Sequence, residues 1–368
     1  MAHIKDFVKR EPTLCVAFIA ALFSCLLVPI DRAYIDYIDF RTLALLYALM
    51  VVVSGLRRAG VFSYLAHKLC EKADSARKIG LILVLLCFFS SMLVTNDVAL
   101  LTFVPFAVVV LGLAHQEKEL IWVVVLQTVA ANLGSMLTPV GNPQNLFLFS
   151  YYNFIMGEFI SATLPIWLIS LGLILLLCLK LPRSHIDIFL GEEPILRKKK
   201  LALYTALFLL CMLEVLHVIR WEIMLCIIVL VLLVWDRRRL RHADFLLLLT
   251  FVCFFVFAGN LARLGPVERA LRALLEGREL FCGVALSQVI SNVPAALLLS
   301  GFTESGRELL LGVNIGGLGT PVASLASLIS MKLYTHSESA SLGAFMKYFL
   351  AVNFALLALL TLAAIVLP

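Results

Sequence analysis

Thr95-Asn96-Asp97 interrupts an otherwise apolar stretch, dividing the run 79–94 from the run 98–113. Polar groups are costly in hydrocarbon, about 2.5–3.5 kcal/mol for a central Asp, unless they face protein or water. Thr, Asn and Asp are also good helix caps, because a short side-chain oxygen can take the first free N–H groups. The residues alone permit two readings. One is a plain cap on a helix over 98–113. The other is a cap at membrane depth, where free N–H groups and the positive dipole end face a polar site. Ser291-Asn292 poses the same choice, and Pro294 behind it suits a first turn because it has no N–H to leave unbonded.

Two longer polar clusters complete the set. Asn132, Gly134, Thr138, Gly141, Asn142 and Asn145 share 14 residues with Pro139, Pro143 and Gln144. Asn314, Gly317, Thr320 and Ser324 fall together with Gly316, Gly319 and Pro321. Neither cluster can be a continuous lipid-facing helix. They read either as Pro kinks with small residues for close packing, or as unwound segments whose carbonyls, with Ser, Thr and Asn oxygens, ligate Na⁺. Asp97 is the one acid expected at depth, since Glu214 lies near the outer end of its span. It could carry a coupling proton, join a Na⁺ site with Asn96, Asn292 and the two breaks, or serve as a cap kept neutral by burial. Lys and Arg are absent from all four clusters. An anion there would need amides, hydroxyls, helix N-termini and a co-bound cation, and an ionised Asp97 would oppose it.

These clusters must be positioned by membrane helices. Of the 368 residues, 62% are hydrophobic and 15% charged, against roughly 45–50% and 25% in soluble chains. A fold of this size cannot hide so much apolar surface from water. That excludes a soluble enzyme, a disordered chain and a nucleic-acid binder, and leaves an all-α polytopic protein whose surroundings are the lipid bilayer. The nine Cys lie almost entirely in apolar runs without a CxxC pair, and the seven His form no HExxH pattern; small buried hydrophobes fit the Cys better than metal or disulfides. No nucleophile or acid–base constellation points to an enzyme, and no cofactor beyond a coupling ion is expected.

A span needs about 20 apolar residues. Candidates are 13–30, 42–56, 161–179, 201–218, 222–235, 245–261 and 345–366. The first follows a basic start but is long and lacks an obvious cleavage site, so it reads as a retained helix. Basic loops at 57–78, 180–200 and 236–244 should be cytoplasmic with the N-terminus, and the acidic loop 31–41 outside. Threading then requires 79–113 and 279–302 to enter and leave on the same side, as re-entrant hairpins, giving about nine spans. Arg263, Arg269, Arg272 and Arg278 would lie outside, a violation that an interfacial amphipathic helix tolerates.

An internal repeat fits this threading. SSMLVTNDVALLT at 90–102 parallels SQVISNVPAALLL at 287–299, and NLGSMLTPV at 132–140 parallels NIGGLGTPV at 314–322. The first repeat covers 42–180, with its hairpin at 79–113 and broken helix at 121–149; the second covers 245–368, with hairpin 279–302 and broken helix 309–331. Residues 1–41 form an N-terminal helix and outer loop, and 181–244 the linker and connecting spans. Halves starting on opposite sides make an inverted repeat, common among secondary transporters.

The paired tips and paired breaks resemble the ion transporter superfamily: divalent anion/sodium symporters, arsenite permeases and sodium/proton antiporters of the same fold. The resemblance runs from about residue 42 to the C-terminus. In the carboxylate symporters both tips read Ser-Asn-Thr, so tip roles carry over to Thr95, Asn96, Ser291 and Asn292, while Asp97 and Val293 depart. The arsenite permeases have an Asn-Asp pair and an Asn-x-Pro, similar to Asn96-Asp97 and Asn292-Val293-Pro294, and a late break like Gly319–Ala326. Gly141-Asn142-Pro143-Gln144-Asn145 is similar to the symporters' first break. The resemblance implies elevator-type alternating access, a homodimer, and a small anionic or oxyanionic solute moved with Na⁺ or H⁺ across an inner membrane. Sodium/proton antiport through Asp97 is the alternative, and a channel a more distant one.

Overall fold

The computed structural model describes residues 11–71, 73–113, 116–183, 193–337 and 340–367, which form helices and connecting turns with no β-strand. Helices α1 (Pro12–Leu27) and α2 (Ala33–Asp36) lead into a run of α3 (Phe40–Arg58), α4 (Val61–Cys70), α5 (Ala76–Ser90), α6 (Asn96–Leu113), α7 (Glu117–Gly134), α8 (Pro143–Tyr151) and α9 (Met156–Cys178). Two helices, α10 (Lys198–Val215) and α11 (Trp221–Trp235), follow. Then the same order recurs: α12 (Phe245–Arg263), α13 (Gly265–Leu275), α14 (Glu279–Ile290), α15 (Asn292–Ser300), α16 (Gly306–Gly316), α17 (Leu325–Tyr334) and α18 (Leu342–Val366). In each run a long helix and a short one precede two limbs of a hairpin, an interrupted helix and a long closing helix.

Among the described residues five helices are long and apolar enough to cross a bilayer, as in an integral membrane protein. Burial separates their roles. The window Lys118–Leu137 is 89% buried, while that of α18 is 28% buried. The interrupted helix is therefore central and the closing helix peripheral. The core is two adjoining apolar clusters. One holds α5, α6, α7, α9, α17 and α18; the other holds α1, α3, α8, α10, α11, α12 and α15. Helices α7 and α8 fall in different clusters, so the first break lies at the seam between them.

Charged loops sort to two faces. On one, Arg197 N donates to Ala59 O (2.9 Å), Arg77 Nε to Leu181 O (2.7 Å), Lys200 Nζ to Asp236 Oδ2 (3.1 Å) and Arg239 Nη1 to the Ser54 hydroxyl (3.3 Å). The three basic loops thus sit together. On the other, Arg263 Nη2 meets Asp31 Oδ2 at 2.8 Å and Arg272 Nε meets Glu268 Oε1 at 2.9 Å. The Arg263 guanidinium holds the exposed Asp31 carboxyl below its ordinary range. Arginines that break the loop-charge rule are thereby partly neutralised. Helix α3 runs from the acidic face, where Asp39 caps Thr42 N at 2.9 Å, to the basic one. Helix α12 runs back, from an Asp244 cap on Leu247 N to Arg263.

Arg41 Nε reaches Glu214 Oε1 at 2.7 Å, tying α3 to α10; Glu214 is 1% exposed and its second oxygen has no donor among the described residues. Arg41→Ala leaves a buried unpaired carboxylate, which costs about 3–5 kcal/mol. The melting temperature of the detergent-purified variant should fall accordingly. The double variant Arg41→Leu/Glu214→Leu should regain most of the loss, since an apolar pair needs no partner. An Arg41→Ala protein melting with wild type would show that the pair contributes nothing.

Candidate functional site

The polar residues at the tips and breaks meet at the seam, and Asn132 is the hub. Its Oδ1 accepts from Asn96 Nδ2 at 3.1 Å and from the Ser324 hydroxyl at 2.9 Å, and its Nδ2 donates to Gly317 O at 3.4 Å. The first tip, the first break and both sides of the second break are joined through this one amide. Asn96 is the first residue of α6 and Ser324 the N-cap of α17, where its hydroxyl also accepts from Ala326 N at 3.2 Å. Two helix N-termini, each a positive dipole end, are thus brought to one point; several of their first N–H groups are already taken, Asp97 N by Asn96 Oδ1, Val98 N by Thr95 O, Ala326 N by the Ser324 hydroxyl and Ser327 N by Ser324 O.

A second link crosses between the breaks. Asn314 Nδ2 donates to Asn145 Oδ1 at 2.7 Å, and Asn145 Nδ2 lies within 3.3–3.4 Å of the carbonyls of Ser135, Met136 and Thr138. Asn142 donates to the Ser135 hydroxyl. The break itself is two short 3-10 turns, Ser135–Leu137 and Pro139–Gly141, forced by Pro139 and Pro143 and closed by the side-chain amides. The second break has one, Pro321–Ala323.

The two hairpins are held to their breaks alike. The Thr138 hydroxyl donates to Met92 O, and the Thr320 hydroxyl to Gln288 O at 3.0 Å. Glycines make the approach possible. A Cβ on Gly134 would strike Phe88 O, one on Gly141 would strike Ser135 O, and one on Gly317 would come within 2.9 Å of Asn292 Nδ2. Asn292 therefore sits against the second break.

At the first tip the helix begins at Asn96, two residues before the expected 98, with Asn96 Oδ1 accepting from Asp97 N at 2.9 Å. At the second tip Ser291 makes no cap bond. Its hydroxyl lies 3.3 Å from Ala323 O and 3.5 Å from Asn292 Oδ1. Its φ of 77° is a region that costs a residue with a Cβ about 1–3 kcal/mol. The tight chain reversal between α14 and α15 leaves no room for the capping conformation.

The side chains of Asp97 and Thr95 stand apart from the amide network. They line a cavity of about 260 Å³ with Asn142, Arg57 and Asp244, on the side of the basic loops. A second cavity, of about 360 Å³, opens on the acidic face with Asp36, Asp39 and Tyr151. Adjacent residues Leu146 and Phe147 of α8 belong to the first and second cavity respectively, and Phe147 packs on Phe255 with ring centres 5.6 Å apart.

Gln288 is a residue of the candidate site that the motifs did not point to. Its Nε2 donates to Gly316 O (2.9 Å) and Leu318 O (3.0 Å), and its Oε1 accepts from Thr320 N at 2.9 Å. One Gln thus replaces the helical partners that the second break loses. The repeat held the signal, since matching Asn292 to Asn96 pairs Gln288 with Met92, and the carbonyl of each accepts from the threonine of its break, Thr320 and Thr138.

The acceptor oxygens Asp97 Oδ1, Asn142 Oδ1 and Asn314 Oδ1 are buried with no donor among the described residues. Such oxygens are what a hard cation such as Na⁺ takes. An interrupted helix and a hairpin from each half, converging on one polar junction inside an integral membrane protein, define a membrane transporter. The chain belongs to the citrate transporter family, whose model matches residues 8–304. It is 35% identical over 300 residues to an uncharacterized transporter of Methanocaldococcus jannaschii, covering 80% of this chain and 81% of that one. It is 30% identical over 305 residues to the inner membrane protein YbiR of Escherichia coli, covering 80% of each. It is also 33% identical over 153 residues to the silicon efflux transporter LSI3 of Oryza sativa subsp. japonica, covering 40% of this chain and 30% of that one.

Proposed function

We propose that the protein is an ion-coupled secondary transporter that moves a small carboxylate or oxyanion with Na⁺ or H⁺. The observation that carries this is the junction at Asn132, where two helix N-termini and both breaks meet. Helix N-termini favour anions, and donor-free oxygens beside them favour a cation, so solute and coupling ion can share one polar region. The citrate in the family's name is a solute of this kind. Opposite directions of α3 and α12 support an inverted repeat with re-entrant hairpins, the N-terminus and basic loops cytoplasmic. Cavities on both faces, parted by Leu146, Phe147 and Phe255, support alternating access by movement of the hairpins and broken helices past α3 and α12.

A second reading is sodium/proton antiport, favoured by Asp97, whose Oδ1 has no donor and whose side chain meets the cavity. Flux in proteoliposomes separates the two. Citrate uptake that requires a Na⁺ or H⁺ gradient supports the first. Na⁺-driven proton release with no anion present supports the second and overturns the first. In either case a proton-carrying Asp97 gives a pH-dependent flux that Asp97→Asn should flatten. An unchanged pH profile would leave Asp97 only its place at the helix start. A thermal-shift screen against citrate, arsenite, silicate, Na⁺ and Li⁺ would narrow the solute, because a bound ligand stabilises the folded state.

A further inference from the structure

An anionic solute needs a positive charge, yet the four polar clusters contain no Lys or Arg. The cavity at the first tip does. Arg57, in the last turn of α3, lines it with Thr95, Asp97 and Asn142. What holds Arg57 there follows from a single proline. Residue 105, inside α6, is Pro. Lacking an N–H, it leaves the carbonyl four residues earlier without its helical donor. That carbonyl belongs to Leu101, and Arg57 Nη2 donates to it at 3.0 Å. A guanidinium has five N–H donors in a rigid fork, so one bond to Leu101 fixes the group while leaving donors over. Among the described residues Arg57 pairs with no carboxylate. Two acids share the cavity, Asp244, whose Oδ1 caps Leu247 N at 2.9 Å, and Asp97 at the tip itself, and neither is within ion-pair distance of Arg57.

We propose that Arg57 is the anion-docking group of this transporter, taking a carboxylate or oxyanion on its free donors beside Thr95 and Asn142. The inference rests on the anion reading above. It explains how a site built of amides can attract an anion despite Asp97. Arg57 supplies the positive charge, and the co-transported cation or proton offsets Asp97. A guanidinium suits the role because its fork matches two oxygens of one carboxylate.

The test is citrate, phosphate and sulfate uptake into proteoliposomes by wild type, Arg57→Gln and Arg57→Lys, each also in a Pro105→Ala background. The background gives residue 105 an N–H for Leu101 O, so Arg57 is no longer needed as a carbonyl anchor and the Gln variant need not unfold. Arg57→Gln should raise KM for a transported anion about tenfold or more, the scale of a lost charged hydrogen bond, with little change in Vmax. Arg57→Lys should recover part of the loss, and the KM effect should persist with Pro105→Ala. If it disappears in that background, or if KM never changes while wild type carries the anion, Arg57 is only an anchor and the proposal is overturned. If wild type carries none of the three anions, nor arsenite or silicate, the anion reading itself fails, and this inference with it.

Discussion

Replacing Asn132 by Ala should abolish transport while leaving a folded protein in the membrane. The amide joins Asn96, Ser324 and Gly317, at 3.1, 2.9 and 3.4 Å. Asn96 is 5% exposed and Ser324 2%, so after truncation water reaches neither freely. A buried polar group left unpaired costs about 1–3 kcal/mol. That loss is spread over contacts the two core clusters can absorb, and the melting point should drop by a few degrees, not collapse. Position is different. Without the hub, the first tip and the start of α17 no longer share a partner, and their N-termini lose the alignment that lets them act on one solute. Misplacement of binding groups by about 1 Å can cost about a hundredfold in rate, so flux should fall by at least that factor. Asn96→Ala and Asn292→Ala should follow the same pattern. Near-normal flux through Asn132→Ala, with wild-type elution on size exclusion, would remove the junction from the transport site.

The polar clusters were legible in sequence because hydrocarbon makes them conspicuous. An Asn or Pro inside an apolar run has few reasons to be there, and recurrence in the repeat makes coincidence a poor account. Helix positions were legible for the same reason: α12 spans Phe245–Arg263 where the apolar run reads 245–261. What the chain did not disclose is which polar residue meets which. Asn132 bonds across repeats to Ser324, and Asn314 to Asn145, and nothing in their spacing specifies these partners. Ser291 read as a cap because serine caps well, yet the reversal after α14 sets its φ at 77° and turns the hydroxyl to Ala323. Gln288 escaped notice because one Gln does not interrupt a helix. Its importance depends on carbonyls of a segment 28–30 residues away. Nothing in the basic loop marks Arg57, because its place depends on Pro105 leaving Leu101 O without a helical donor 44 residues along the chain.

Gly134→Ala should be the most damaging single methyl in the protein. Gly134 ends α7 exactly where the first break begins, and its carbonyl accepts from Trp167 Nε1 at 3.1 Å. A Cβ there meets Phe88 O and comes within 2.7 Å of the Ser91 hydroxyl. The first obstacle is backbone, in a helix end whose Phe88 side chain is fully buried against Trp167, ring centres 4.9 Å apart. It cannot rotate aside as a flexible side chain would. Overpacking of a filled core costs about 1–3 kcal/mol and sometimes more, and the upper end applies because α5 and α7 must separate along their contact. The tip at Thr95–Asp97 hangs from α5, so the displacement also carries Asn96 away from Asn132. Both melting temperature and flux should therefore fall together, unlike in Asn132→Ala, where flux falls much further than stability. Gly172 supplies the opposite sign. It lies within α9 with open space where its Cβ would be, and Ala there removes a helix-interior glycine worth about 0.5–1 kcal/mol of destabilisation. Gly172→Ala should keep full flux and melt at or above wild type. Ser91→Ala should not rescue Gly134→Ala, because the carbonyl of Phe88 remains. A rescue would mean that the hydroxyl, not the backbone, sets how closely the first hairpin can approach its break.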